Sequence, residues 1–98
     1  MLKITNDPKE FQAENECIVY FTADWCGPCK QLKPQYGKLA VMDTKKNYYL
    51  VDVDKVDVET LDRYNIKSVP QVFVMQHGNI YKAIGSRTAD AMLGEINN

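Results

Sequence analysis

Seven consecutive residues, Cys17-Ile18-Val19-Tyr20-Phe21-Thr22-Ala23, form a nearly continuous apolar, β-branched and aromatic run, and within six residues of its end comes Cys26-Gly27-Pro28-Cys29. A run of this kind reads as a central strand covered on both faces, because a strand with one wet face would alternate apolar with polar. Asp24-Trp25 ends it. From Cys26 onward the pattern turns helical, with Leu32, Tyr36, Leu39 and Ala40 at spacings of three and four. The two cysteines therefore sit where a buried strand becomes a helix. Pro34 lies inside that helix and is expected to bend it, and the helix is expected to stop between Asp43 and Asn47.

The remaining elements follow from local signals. Leu2-Lys3-Ile4-Thr5 alternates like a short strand, and Asn6-Asp7-Pro8 supplies a cap and a helix-starting proline for Lys9 to Glu14. Tyr48 to Asp54 is the next strand. Asp57 caps a short helix carrying Val58, Leu61 and Tyr64, and Asn65 ends it in the left-handed region. Val69-Pro70-Gln71-Val72-Phe73-Val74-Met75 is a strand opened by a proline; His77-Gly78-Asn79 turns it into an antiparallel return, Ile80 to Ile84. Gly85 breaks that strand, and Thr88 caps a last helix with Met92, Leu93 and Ile96 on its apolar stripe. The order βαβαβαββα predicts an α/β fold with a mixed five-stranded sheet flanked by four helices.

Composition narrows the function. Ninety-eight residues, 45% hydrophobic and 26% charged, have room for one core, so residues 1–98 are expected to form a single domain. Twelve basic against thirteen acidic residues give a net charge of −1, and no basic cluster offers a nucleic-acid footprint. No apolar stretch approaches the ~20 residues needed to cross a bilayer. The first residues lack the long apolar region of a signal peptide, so the expected compartment is a reducing cytoplasm.

Three cysteines cannot close a disulfide framework. Two cysteines three apart are a metal half-site, a structural pair or a redox couple. Outside the pair, Cys17 and His77 are the customary soft or imidazole ligands, and both belong to other elements, so neither zinc nor an iron–sulfur cluster is expected. A structural disulfide would close a very small ring and suit a reducing compartment poorly. Redox chemistry fits the placement. At a helix N-terminus the free N–H groups and the positive end of the dipole favour a thiolate, which makes Cys26 the nucleophile. Cys29, one turn inward, is the resolving thiol that would attack the mixed disulfide at Cys26. Gly27 allows the tight turn, and Pro28 fits the first helical turn, where its missing N–H costs little.

The string Ala23-Asp24-Trp25-Cys26-Gly27-Pro28-Cys29-Lys30, with Pro34 and Val69-Pro70, resembles the thioredoxin family over essentially the whole chain. The resemblance implies a protein-disulfide reductase that needs no bound cofactor, with protein disulfides as substrates and a thioredoxin-reductase-like electron donor. It implies a monomer, a cis bond before Pro70, and a Val69 backbone that pairs with an extended substrate segment. Trp25, Gly27, Pro28, Val69, Pro70, Ile84 and Gly85 would rim the docking surface. A disulfide oxidase or isomerase, and a binding module that uses the same rim to hold a partner, are the alternatives.

The chain departs from the family in one place. The family's buried aspartate, six residues before the first active-site cysteine, is Tyr20 here, and the lysine near it is Leu50. Losing both avoids leaving one charge buried and unpaired. Proton transfer in the resolving step is then expected to run through water or directly between the sulfurs, and more slowly. Asp24 is the carboxylate to examine if a group other than the two thiols titrates in that step, although a charged turn residue is more often merely solvated; Asp52 and Asp54 read as surface or capping residues, and His77 as a turn residue. Cys17 reads as a small buried hydrophobe.

Overall fold

In the computed structural model, which describes residues 1–98, the chain runs β1 (Leu2–Ile4), α1 (Pro8–Gln12), β2 (Glu16–Thr22), α2 (Gly27–Met42), β3 (Asn47–Asp52), α3 (Val58–Arg63), β4 (Gln71–Gln76), β5 (Asn79–Ile84) and α4 (Ala89–Asn97). The expected order holds. The five strands form one sheet in the order β1-β3-β2-β4-β5, with β1, β2 and β3 parallel and β4 and β5 antiparallel to their neighbours. The class is α/β with a mixed sheet.

The central strand explains its own sequence. In β2, Ile18 and Tyr20 point to one side and pack with α2 and α4, while Cys17, Val19 and Phe21 point to the other. Every β2 residue from Cys17 to Thr22 is buried, which is why the run is apolar without alternation. The α2 side holds Leu32, Tyr36, Leu39 and Ala40 from that helix, together with Met92 and Ile96 from α4. On the opposite side Phe11 of α1 meets the rings of Phe21, Tyr49 and Tyr64 at 6.2, 6.1 and 6.0 Å between centroids. The Tyr36 hydroxyl donates to the carbonyls of Ile18 (3.1 Å) and Tyr49 (2.8 Å), tying α2 to β2 and β3.

Each cap read from the sequence is in use. Asp7 accepts the Lys9 N–H, Asp57 the Thr60 N–H, and Thr88 the Ala91 N–H. Asn65 (φ 55°), His77 (φ 52°) and Gly78 (φ 80°) occupy the left-handed region, the last two forming the tight turn between β4 and β5. A Cβ at Gly78 would meet the Gln12 carbonyl oxygen at 3.4 Å, an ordinary contact distance, so the left-handed φ is what favours glycine there. Some boundaries differ from expectation. α1 stops at Gln12, which frees Glu14 to accept the Tyr49 hydroxyl at 2.5 Å. β3 ends at Asp52, where the Asp52 carboxylate accepts the Asp54 N–H at 2.8 Å and turns the chain.

Cys17 is fully buried, its thiol facing the Phe11 carbonyl at 3.6 Å. Burial, helped by the charges of Glu14 and Glu16, pushes this thiol up to about 12. An unfolded cysteine ionises near 8.5, so above about pH 9 the unfolded chain binds fewer protons than the folded one and stability falls until about pH 12. Below the unfolded value the group contributes no pH dependence. We therefore expect the unfolding free energy of the oxidised protein, measured by urea titration, to drop more steeply between pH 9 and 11 than that of Cys17→Ala, by up to ~1.4 kcal/mol per pH unit. Parallel curves would contradict this.

Candidate active site

Cys26 is the N-cap of α2, in extended backbone (φ −86°, ψ 114°), and its sulfur accepts the Cys29 N–H at 3.3 Å. A sulfur here faces the unsatisfied N–H groups of a 16-residue helix, the setting that stabilises negative charge on it. Pro28 falls within the first turn, where its fixed φ suits the helix. Cys26 and Cys29 are joined as a disulfide with Cα atoms 5.3 Å apart. Both residues are nearly covered, at 4% and 2% exposure, whereas Gly27 and Pro28 between them are exposed.

The segment opposite the pair comes from the chain entering β4. The Val69–Pro70 bond is cis, and the Val69 carbonyl oxygen lies 3.6 Å from the Cys26 sulfur. Both residues are half-buried and lie just before β4, which begins at Gln71 rather than Val69. Trp25 projects into solvent at 68% exposure, and its Nε1 donates to the Asp54 carboxylate at 2.8 Å. Gly85 is exposed after β5. Ile84 is a correction. Its register with Val72 turns it into the core beneath α2 and α4, at 3% exposure, so its side chain is not part of the rim.

Two participants were not assigned to the site from sequence. Asp54, expected as a surface or capping residue, accepts the Trp25 indole N–H and orients the tryptophan beside the disulfide. Tyr20 lies in register between Leu50 of β3 and Val72 of β4, and its hydroxyl donates to the Cys29 carbonyl at 3.2 Å. Burial pushes its pKa up, so it remains a neutral donor. Pro34 leaves α2 one N–H short, as any interior proline does. No cluster of three or more His, Cys, Asp or Glu side chains stands in the geometry of a metal site, and no helix is long and apolar enough to cross a membrane.

A five-stranded α/β sheet with a vicinal cysteine pair capping a helix, opposite a cis-proline, defines a thiol–disulfide oxidoreductase acting on protein disulfides. The thioredoxin family model matches residues 3–98, and the chain belongs to that family. It is 37% identical to thioredoxin 1 of Plasmodium falciparum over 83 residues, covering 81% of this chain and 79% of that one. It is 35% identical to the thioredoxin of Mycoplasma genitalium over 89 residues, covering 90% and 86%. The solution structure of oxidised Plasmodium falciparum thioredoxin superposes with a TM-score of 0.81 at 32% identity, covering 99% and 96% of the two chains.

Proposed function

We propose that the chain is a single-domain protein-disulfide reductase of a reducing cytoplasm, acting as a monomer and recharged by a thioredoxin-reductase-like donor in an electron-transport role. The observation that carries the reading is the sulfur of Cys26 at the N-terminus of α2, with a free backbone carbonyl 3.6 Å away on Val69.

In the reduced protein the Cys26 thiolate attacks one sulfur of a substrate disulfide, forming a mixed disulfide and releasing the other sulfur as a thiolate. The substrate backbone runs alongside Val69, whose polar groups precede the regular pairing of β4, and rests on Trp25, Gly27, Pro28, Pro70 and Gly85. Cys29 then attacks Cys26, closing the pair and releasing the second substrate thiol. Tyr20 holds the Cys29 carbonyl during this step and keeps the first turn of α2 in place. The two thiols carry the electrons, so no bound cofactor is needed.

Insulin-disulfide reduction is the direct test, with acceleration above free dithiol as the expected result. Cys29→Ser should accumulate covalent mixed disulfides with substrate proteins, because the resolving attack is lost. No acceleration and no adducts would overturn the reading. A reduction potential near the reducing ~−270 mV end supports a reductase, and one near ~−120 mV would replace it with an oxidase. A partner retained when both cysteines are serine would instead favour the binding module.

A further inference from the structure

For Cys29 to attack, its thiol must first lose a proton, yet it is 2% exposed and the buried groups around it are poor acceptors. The Tyr20 hydroxyl is committed to the Cys29 carbonyl, and the Tyr36 hydroxyl to the carbonyls of Ile18 and Tyr49. Burial raises the pKa of both.

A cleft of about 110 Å³ reaches Cys29 from outside, with room for several waters. Thr22, Ala23 and Asp24 line one wall, and Cys29, Lys30 and Lys33 of α2 line the other. Asp24 is the only carboxylate in it. It is exposed and in no ion pair, the one salt bridge of the protein being Lys46 to Asp43. Arg87 lies in a separate groove with Pro28 and Leu32, and its charge reaches Tyr20. The titratable and charged groups around Cys29 are thus Tyr20 from β2, Tyr36, Lys30 and Lys33 from α2, Asp24 from the turn, Arg87 from the α4 side, and Cys26.

We propose that this cleft is the proton exit of the resolving thiol, with Asp24 taking the Cys29 proton through water and Lys30 and Lys33 favouring the thiolate. The assignment rests on the exchange reading above. A carboxylate offers acceptor oxygens to a proton, whereas the two lysine side chains offer only donors. In the mixed disulfide the Cys29 proton passes through a water to the Asp24 carboxylate, and the thiolate attacks the Cys26 sulfur. The Cys26–Cys29 bond forms and the bond from Cys26 to the substrate sulfur breaks. The electron pair leaves on the substrate thiolate, which is protonated from solvent, so two electrons pass to the substrate as the pair is oxidised.

A chromophoric aryl disulfide separates the two steps, since reduced protein releases one coloured thiolate when Cys26 attacks and a second when Cys29 resolves. Stopped-flow traces between pH 5 and 9 are compared for the parent, Asp24→Asn, Asp24→Glu and the α4 surface control Asp90→Asn. The first release should be unchanged in all four. The second should slow roughly 10²-fold near neutrality in Asp24→Asn, the lower end of what a positioned base supplies. It should then rise with pH as the thiol itself titrates, with partial recovery in Asp24→Glu and none of this in Asp90→Asn. Equal second phases in parent and Asp24→Asn would overturn the proposal. Absence of both releases from the parent would instead overturn the exchange reading.

Discussion

Cys26→Ser should lose disulfide reduction by at least roughly 10³-fold, down to the rate of the assay dithiol alone, because a nucleophile is removed outright. The fold should be unaffected. Serine is among the favoured N-cap residues, so its oxygen can take over the Cys29 N–H now accepted by the Cys26 sulfur at 3.3 Å. Insulin turbidity measures the activity, and thermal unfolding of the reduced parent and variant checks the fold. Turnover within tenfold of the parent would remove Cys26 from the nucleophile's role. A large drop in stability would mean that the sulfur does more for α2 than cap it.

Phe11→Ala should be the costliest single change to the scaffold, although it lies on the face of the sheet away from the Cys26–Cys29 pair. α1 has five residues, too few to hold as a helix by itself, and Phe11, fully buried, is its one buried side chain. Removing the ring deletes three aromatic contacts and leaves a cavity between α1 and the sheet. Such truncations cost about 3–5 kcal/mol, a large part of the ~5–15 kcal/mol that holds a domain of this size. The melting temperature should fall by ~4–8 °C for each kcal/mol lost. A loss below about 1 kcal/mol would show that α1 docks through its cap and the Thr5 hydroxyl instead.

What could be read from the residues was whatever a short window encodes. β2 shows its double burial as a continuous apolar run, α2 shows its buried face as Leu32, Tyr36, Leu39 and Ala40, and the caps at Asp7, Asp57 and Thr88 are local signals. Register was not local. Ile84 looks like a strand-end residue free to join a docking surface until its pairing with Val72 shows which face it takes. Asp54 comes 29 positions after Trp25, and nothing near either residue signals that they meet. The cis bond at Val69–Pro70 came from the family resemblance, since a proline at a strand entrance is compatible with either isomer. Tyr20 is intermediate: its face follows from alternation along β2, but its bond to the Cys29 carbonyl depends on how α2 is seated above the strand.

The sheet also settles which sulfurs can meet. Cys17 belongs to the cluster on one side, and Cys26 and Cys29 to the cluster on the other. β2 is thus a wall between one thiol and two, although all three lie within thirteen residues of chain. Scrambling to a Cys17 disulfide would require the strand to leave the sheet, so oxidising equivalents collected at the surface stay in the pair that can hand them on. The partition lets a chain with an odd number of cysteines cycle between two redox states without trapping itself in a third.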